Sequence, residues 1–388
     1  MRFDLVVVGG GLAGAALAVA LRKSRLRIAL IDSRPPQRPD GWDARVYAFS
    51  PATVRFLEEL GVWRHLDLSR MASVRDMQVF GDAGGALHFS AYDSGLAELA
   101  YIGESSLVHL ELWENLKRQH NVTLFCPARP AAYLADDDTV GIRLGDGRLL
   151  EASLIVGADG RDSWVREQAG IAVDETPYDE LAIVANFGCE RPHRGTALQW
   201  FMADDGILAW LPLPGNMISI VWSARRELAE ELLKLDDGAF AQRVAAAGAD
   251  RLGVLSMHTP RASFPLRLMR VAEVVKPRVA LLGDAAHAIH PLSGHGVNLG
   301  FQDVKVLAEK LEDLSPWQDP GDLHVLRSYA RTRAEEPFLL QYATHGLNRL
   351  FASRLPLASS VRNLGLNLTA RLPVVSNALI RYAINGKF

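Results

Sequence analysis

The chain of 388 residues has only two cysteines, Cys126 and Cys189, which excludes a disulfide scaffold or a multi-cysteine metal site. A reduced, intracellular setting is the simplest reading of that scarcity. Any apolar run long enough to span a bilayer is also missing. The nearest approach, Leu5–Leu21, is 17 residues without a charge, but Gly9, Gly10, Gly11 and Gly14 interrupt it and Asp4 precedes it. That suits neither a spanning helix nor a signal peptide. His287, His290 and His295 lack a carboxylate or cysteine to complete a ligand set, so no metal is expected. Acids are missing from the end of the chain. The 52 residues from Pro337 to Phe388 hold no Asp or Glu but six bases: Arg349, Arg354, Arg362, Arg371, Arg381 and Lys387. Of 42 bases, 36 therefore face all 45 acids in the body, which carries −9 against +6 in the tail. An acidic body argues against nucleic acid as a partner. The basic, leucine-rich tail fits an anionic membrane surface or an acidic partner, or else a helical cap or oligomer contact with solvated arginines.

What is present is a globular composition, 49% hydrophobic and 22% charged. At about 150 residues per domain the length suggests two or three domains. Phe3–Val8 reads as a buried parallel strand, Gly9–Gly11 as a turn, Leu12–Lys23 as a helix and Leu26–Ile31 as a second strand ending at Asp32, a βαβ opening. Helices are expected over Pro51–Leu60, Leu107–Gln119 and Arg225–Ala247. Period-two patterns predict hairpins at Val74–Phe80 with Ala86–Ser90, and at Thr139–Leu144 with Arg148–Leu150. Ala182–Cys189, Thr196–Met202, Ile207–Leu211 and Met217–Ser223 predict a mostly antiparallel sheet forming a separate layer. Two more buried strands, Leu154–Val156 and Arg278–Leu282, each run into a glycine–acid turn. The fold class is therefore mixed α/β: a Rossmann-like βαβ unit, a mostly antiparallel sheet and a helical tail.

Gly9-x-Gly11-x-x-Gly14 follows a strand and opens a helix at Leu12 and Ala13, and Asp32 lies 23 positions after Gly9. In that context the motif is a dinucleotide fingerprint, with pyrophosphate at the helix N-terminus and ribose on Asp32. An acid at that position favours a ribose 2′-hydroxyl, hence NAD or FAD before NADP. Two further turns separate those ligands. Gly157–Arg166 follows one buried strand; Gly283-Asp284-Ala285-Ala286-His287 follows another and continues through Pro291 to Gly294–Gly300. A nicotinamide dehydrogenase needs only the first turn, whereas a dinucleotide with a ribityl chain needs a carboxylate further along, which Asp284 supplies. The amides of Gly296, Val297 and Asn298 at a helix start can face a flavin pyrimidine edge.

Taken together, these stretches resemble the signature motifs of class A FAD-dependent aromatic monooxygenases, the para-hydroxybenzoate hydroxylase type. Within that group the chain is most similar to the ubiquinone-biosynthesis hydroxylases. The resemblance is carried by Asp43-Ala44-Arg45-Val46-Tyr47-Ala48-Phe49-Ser50, by Gly283–His287 and Pro291–Gly300, and by Ala209–Pro214 with Val221-Trp222-Ser223. It spans nearly the whole chain.

The resemblance implies a discontinuous FAD-binding domain over 1–72, 103–180 and 266–336, a substrate domain over 73–102 and 181–265, and a basic helical region over 337–388. It implies tightly bound, non-covalent FAD and NADH or NADPH as a transient co-substrate. Oxygen would add at the flavin C4a position and a hydroxyl would pass to an electron-rich phenol. Arg45 would contact the flavin or its phosphates, and His109 stands where the family often has a glutamine or asparagine touching the cofactor. Asp159 and Arg166 belong to the turn that serves FAD and nicotinamide; Gly283 and Gly294 belong to the other cofactor stretches. His295 departs from the glutamine usual in the ubiquinone branch. A polyprenylated phenol as substrate would suit a peripheral protein on the cytoplasmic face of a membrane, with other quinone-biosynthesis proteins or a second copy as partners. The alternatives are a hydroxylase of a small soluble aromatic and a non-catalytic flavoprotein scaffold. Trp200, Trp210, Leu211 and Trp222, with Pro291, either line an apolar substrate channel or, for the sheet residues, form the inward face of the middle sheet. No proton-transfer residue can be named from spacing.

Overall fold

A computed structural model describes residues 1–136, 138–288 and 294–352. The strands Val279–Leu281, Leu154–Gly157, Leu5–Val8, Ile28–Ile31 and Val122–Phe125 lie side by side in that order, all parallel, with Val275–Lys276 antiparallel at one edge. Both faces are buried, which is why these strands are continuously apolar rather than alternating. Leu5, Val7, Ile28, Leu30, Leu154 and Val156 point to one layer of core, and Val6, Val8, Ala29, Ile31 and Ile155 to the other. The first layer is closed by α1 (Leu12–Ala20), α2 (Pro51–Glu59), α3 (Ser105–Lys117), α7 (Gly296–Glu312) and α8 (Leu323–Arg333). The second is closed by the three-stranded sheet Pro130–Ala135, Val140–Leu144 and Leu149–Ala152. The short helix α4 (Trp164–Gln168) follows the second glycine–acid turn.

A nine-stranded sheet forms the other half. Val173–Cys189 is its long central strand, flanked by Ala262–Val271 on one side and Met217–Arg225 on the other. Gly206–Leu213 and Thr196–Met202 continue the antiparallel series, then Asp76–Phe80 joins in parallel and Ala86–Ser90 closes the row. Helices α5 (Arg226–Lys234) and α6 (Asp237–Ala247) cover one face, where Phe240 and Val244 meet Phe187, Trp210 and Trp222. The helix α9 (Glu335–Ala352) comes last among the described residues.

The expected fold class holds, with local corrections. The helix expected over Arg225–Ala247 is two helices, because the Asp236 carboxylate accepts the Ala239 N–H at 2.8 Å and caps a new start. The run Val74–Phe80 divides between two sheets: Ala72–Val74 pairs with Ala100–Glu104, and Asp76–Phe80 joins the large one. The central strand begins at Val173 rather than Ala182, paired with Ala262–Val271, a strand the sequence pattern did not reveal. Helix α1 ends at Ala20 and gives way to a single 3-10 turn, Leu21–Lys23. No helix of the described residues is long and apolar enough to cross a membrane. Both cysteines are free thiols, and burial pushes Cys189 up to about 12, so it carries no thiolate chemistry near neutral pH.

Candidate active site

Three glycine turns, two of them with an acid, leave the carboxyl ends of neighbouring parallel strands, after Val8, Gly157 and Leu281. In the first, the three motif glycines have different jobs. Gly9 has φ +98°, and a Cβ there would meet the Ala158 carbonyl oxygen at 2.4 Å. A Cβ on Gly14 would lie 1.9 Å from the Gly9 carbonyl oxygen, so glycine is what lets α1 sit against the turn. On Gly11 a Cβ would meet nothing within 4 Å. That open side, at the N-terminus of α1, could hold a pyrophosphate. Asp32 accepts the Gly10 N–H at 2.7 Å and the Arg34 N–H at 3.0 Å, one on each oxygen. Each oxygen keeps a second lone pair for a ribose hydroxyl. His109 bonds the Gly10 carbonyl through Nε2 at 2.7 Å, and burial holds its pKa below the usual histidine value. A neutral ring that donates from Nε2 is the consistent form.

The second turn is fastened to the third. Asp159, half-buried, accepts from Ser163 Oγ at 2.5 Å and Val165 N at 3.0 Å, and burial raises its carboxyl above the usual range. Arg166 is 6% exposed and donates to the Ala285 carbonyl at 3.0 Å and the Arg161 carbonyl at 2.9 Å. Its guanidinium is bonded to backbone on both turns and so ties one to the other. Asp284 is exposed beyond the buried Gly283. Gly283 has φ +59°, with Ala13 Cβ 3.3 Å and Gly300 Cα 4.0 Å from where its Cβ would stand, so α1, the turn and α7 meet at one point. Tyr47 lies within electrostatic reach of Arg45, Asp284, Asp43 and Arg161; burial holds its hydroxyl above the usual pKa. Arg45 and Asp284 thus share one neighbourhood.

The segment carrying Arg45 is held by a buried carboxylate. Glu104, 0% exposed, takes both Arg70 Nε and Nη2 at 2.7 Å and the Asp43 N–H at 2.5 Å. Asn186 of the large sheet donates to the Asp43 carbonyl at 3.0 Å. The Asn298 side chain is also structural: it accepts from Ser50 N at 3.0 Å and Thr53 Oγ1 at 2.8 Å and donates to the Ala48 carbonyl at 2.8 Å. That leaves its backbone amide as the group that could meet a ligand. The first intrahelical bond into His295 comes from Leu299 N, so the amides of Gly296, Val297 and Asn298 have no acceptor within α7. Gly294, at φ +63°, sits 3.7 Å (from a built Cβ) from Ala48 Cβ, beside the same segment. Pro291 lies outside the described residues.

The chain matches the FAD binding domain family over residues 2–337. It belongs to that family. It is 36% identical over 386 residues to ubiquinone hydroxylase UbiL of Rhodospirillum rubrum, covering 98% of this chain and 89% of the relative. It is 32% identical over 390 residues to 3-demethoxyubiquinol 3-hydroxylase of Escherichia coli, covering 98% of each. These relatives bear out the resemblance seen in the motifs. Among solved structures, PqsL of Pseudomonas aeruginosa, a probable FAD-dependent monooxygenase, superposes with a TM-score of 0.79 at 23% identity, covering 94% of this chain and 99% of that one. The p-nitrophenol 4-monooxygenase PnpA of Pseudomonas putida gives 0.80 at 19% identity, covering 99% and 98%. At such identities the superpositions establish the shared fold.

In this FAD-binding chain the tryptophans fall on the far face of the large sheet. Trp210 and Trp222 are 1% and 0% exposed. Trp200 packs edge-on to Trp210 with ring centroids 4.8 Å apart, in the core beneath α5 and α6. Of the two readings open for them, packing holds and channel lining does not. Leu211 alternates to the opposite face, against Ala48, Val74 and Ile102. Glu104, Asn186, Asp303 and Arg333 escaped the sequence reading. Each acts across a long sequence separation, and no local pattern marks an acid or amide whose partners lie in other elements.

Proposed function

We propose that the protein is a FAD-dependent, NAD(P)H-using monooxygenase that hydroxylates the aromatic ring of a polyprenylated phenol in ubiquinone biosynthesis. The observation that carries this reading is the convergence of three glycine turns, two of them with an acid, at the carboxyl ends of neighbouring parallel strands, where sheets of this kind bind their ligands. The ubiquinone hydroxylases among the relatives, matched over nearly their whole length, support the substrate class. When bound, FAD supplies the redox chemistry and the activation of oxygen. The chain's own residues do the rest. Gly11 and the start of α1 take the pyrophosphate, Asp32 the adenosine ribose and Asp284 the ribityl hydroxyls. Arg45 supplies a positive charge near Asp284. The amides opening α7 would face the flavin's pyrimidine edge, where they favour negative charge. The Leu211 face of the large sheet, backed by the tryptophan core, gives an apolar wall for a lipophilic ring and excludes water from it.

Access from a membrane surface is part of the proposal. Phe338 and Tyr342 on α9 are each 52% exposed, with rings 4.4 Å apart, and the basic stretch to Phe388 follows them. Such an end suits anionic lipid. Truncation after Glu336 tests it: liposome binding should fall, and unchanged binding removes the membrane part.

Oxygen incorporation decides the main reading. The purified protein should be yellow, and labelled dioxygen should enter a polyprenylphenol in the presence of NADH or NADPH. Pyridine-nucleotide oxidation that no phenol stimulates would defeat it. Profiling the quinone intermediates of a deletion strain identifies the ring carbon.

A further inference from the structure

Behind the Gly283–Asp284 turn lies a buried chain of charges that the cofactor reading does not use. Asp303 of α7 is 1% exposed, and His287 and Arg333 are each 7% exposed. One Asp303 oxygen accepts the Gly283 N–H at 3.0 Å and His287 Nε2 at 2.6 Å; the other accepts Arg333 Nε at 2.8 Å. Arg333 Nη1 continues to Glu336 at 2.6 Å and Gln302 at 3.0 Å. From the same helix as Arg333, the Tyr329 hydroxyl donates to the Leu281 carbonyl at 2.9 Å, on the strand that enters the turn. The carboxylate is acceptor-only and every group around it donates, so the set is matched and directional.

We propose that Asp303 and His287 are positioning residues for the flavin. A protonated His287 and the Asp303 carboxylate hold the Gly283–Asp284 turn in its ligand-binding shape, and Arg333 ties that turn to the junction of α8 and α9. The inference rests on the FAD reading. Burial alone would strip the charge from both partners, but their mutual attraction outweighs it: Asp303 stays below the usual carboxylate range and His287 above the usual histidine value. The groups facing His287 are Asp303 of α7, Arg333 of α8 and Asp284 of its own turn. Arg270, opposite it in the strand pair, is turned to the Tyr342 ring, 4.5 Å away. The Tyr329 hydroxyl stays neutral, its pKa well above the usual value. A raised histidine pKa gives support that is complete at acid pH and is lost as pH rises through that value. The turn, and with it flavin affinity, should therefore loosen on the alkaline side.

Titration of apoprotein with FAD, read by flavin fluorescence from mildly acid to alkaline pH, tests this. Asp303→Asn places a donor among donors and should weaken FAD binding about tenfold or more, as expected for an unpaired buried group. His287→Gln keeps a neutral donor; it should weaken binding less and remove the alkaline loss. A purely structural role would lower thermal stability and leave the pH profile of affinity unchanged. Wild-type affinity flat with pH, or a His287→Gln profile parallel to wild type, overturns the proposal. If Asp303→Asn does not fold, His287→Gln carries the decision. A wild-type protein that takes up no FAD defeats the cofactor reading instead.

Discussion

The two large sheets use the same physics to opposite ends. The parallel sheet buries both faces and reserves its strand ends, where Gly9, Gly11, Asp159 and Asp284 sit, for turns. The nine-stranded sheet closes one face under α5 and α6 and turns the other toward the Asp43–Ser50 segment through Asn186 and Leu211. In the first, the residues that the motifs mark for a ligand lie in turns at the strand ends; in the second, those that meet the Asp43–Ser50 segment lie on a face, where side chains alternate. Damage to a turn should therefore reach the cofactor first, and damage to the helix-covered face should reach stability first.

Gly14→Val should break this separation, because a Cβ at 1.9 Å from the Gly9 carbonyl leaves α1 no place to sit. Loss of more than about 3 kcal/mol, or of soluble protein altogether, is expected by denaturant titration. Trp210→Ala should cost about 3–5 kcal/mol in the same measurement. The folded fraction should still bind FAD and show an unchanged KM for the phenol; a raised KM would return Trp210 to the channel. Gly11→Ala is the reverse case. Its φ of −65° suits alanine, so stability should move by less than about 1 kcal/mol, while FAD affinity falls about tenfold, or 1.4 kcal/mol, by titration of apoprotein. The smallest effect is in pH dependence. His109 is held below its ordinary value by burial, so on acidification the unfolded chain takes a proton that the folded one resists. Stability is complete above the ordinary histidine range and falls as pH drops through it. His109→Gln keeps a donor for the Gly10 carbonyl and should flatten the thermal midpoint on the acid side, an effect under about 1 kcal/mol.

Much of the cofactor half could be read from the chain. Gly9, Gly11, Gly14 and Asp32 fall within one short βαβ unit, and local spacing alone dictates how a strand, a turn and a helix can meet a phosphate. The turn at Gly283–Asp284 and the helix start at Gly296 were legible in the same way. Roles were less legible than positions. Arg166 and the Asn298 side chain look like ligands in a motif, yet their polar atoms are already bonded to backbone in other elements.

By itself, then, the sequence determined the parallel sheet and the turns at its strand ends, since those follow from periodicity and from glycines whose neighbours are close along the chain, and its motifs carried the resemblance to the family. The tertiary structure decided which face the tryptophans take, that Glu104 anchors the Arg45 segment, and that Asp303 joins Gly283, His287 and Arg333. A strand pattern tells that two faces exist but not which one a distant helix will cover. A buried carboxylate is tolerable only where donors from separate elements converge on it. Both conditions are met only when the chain has folded.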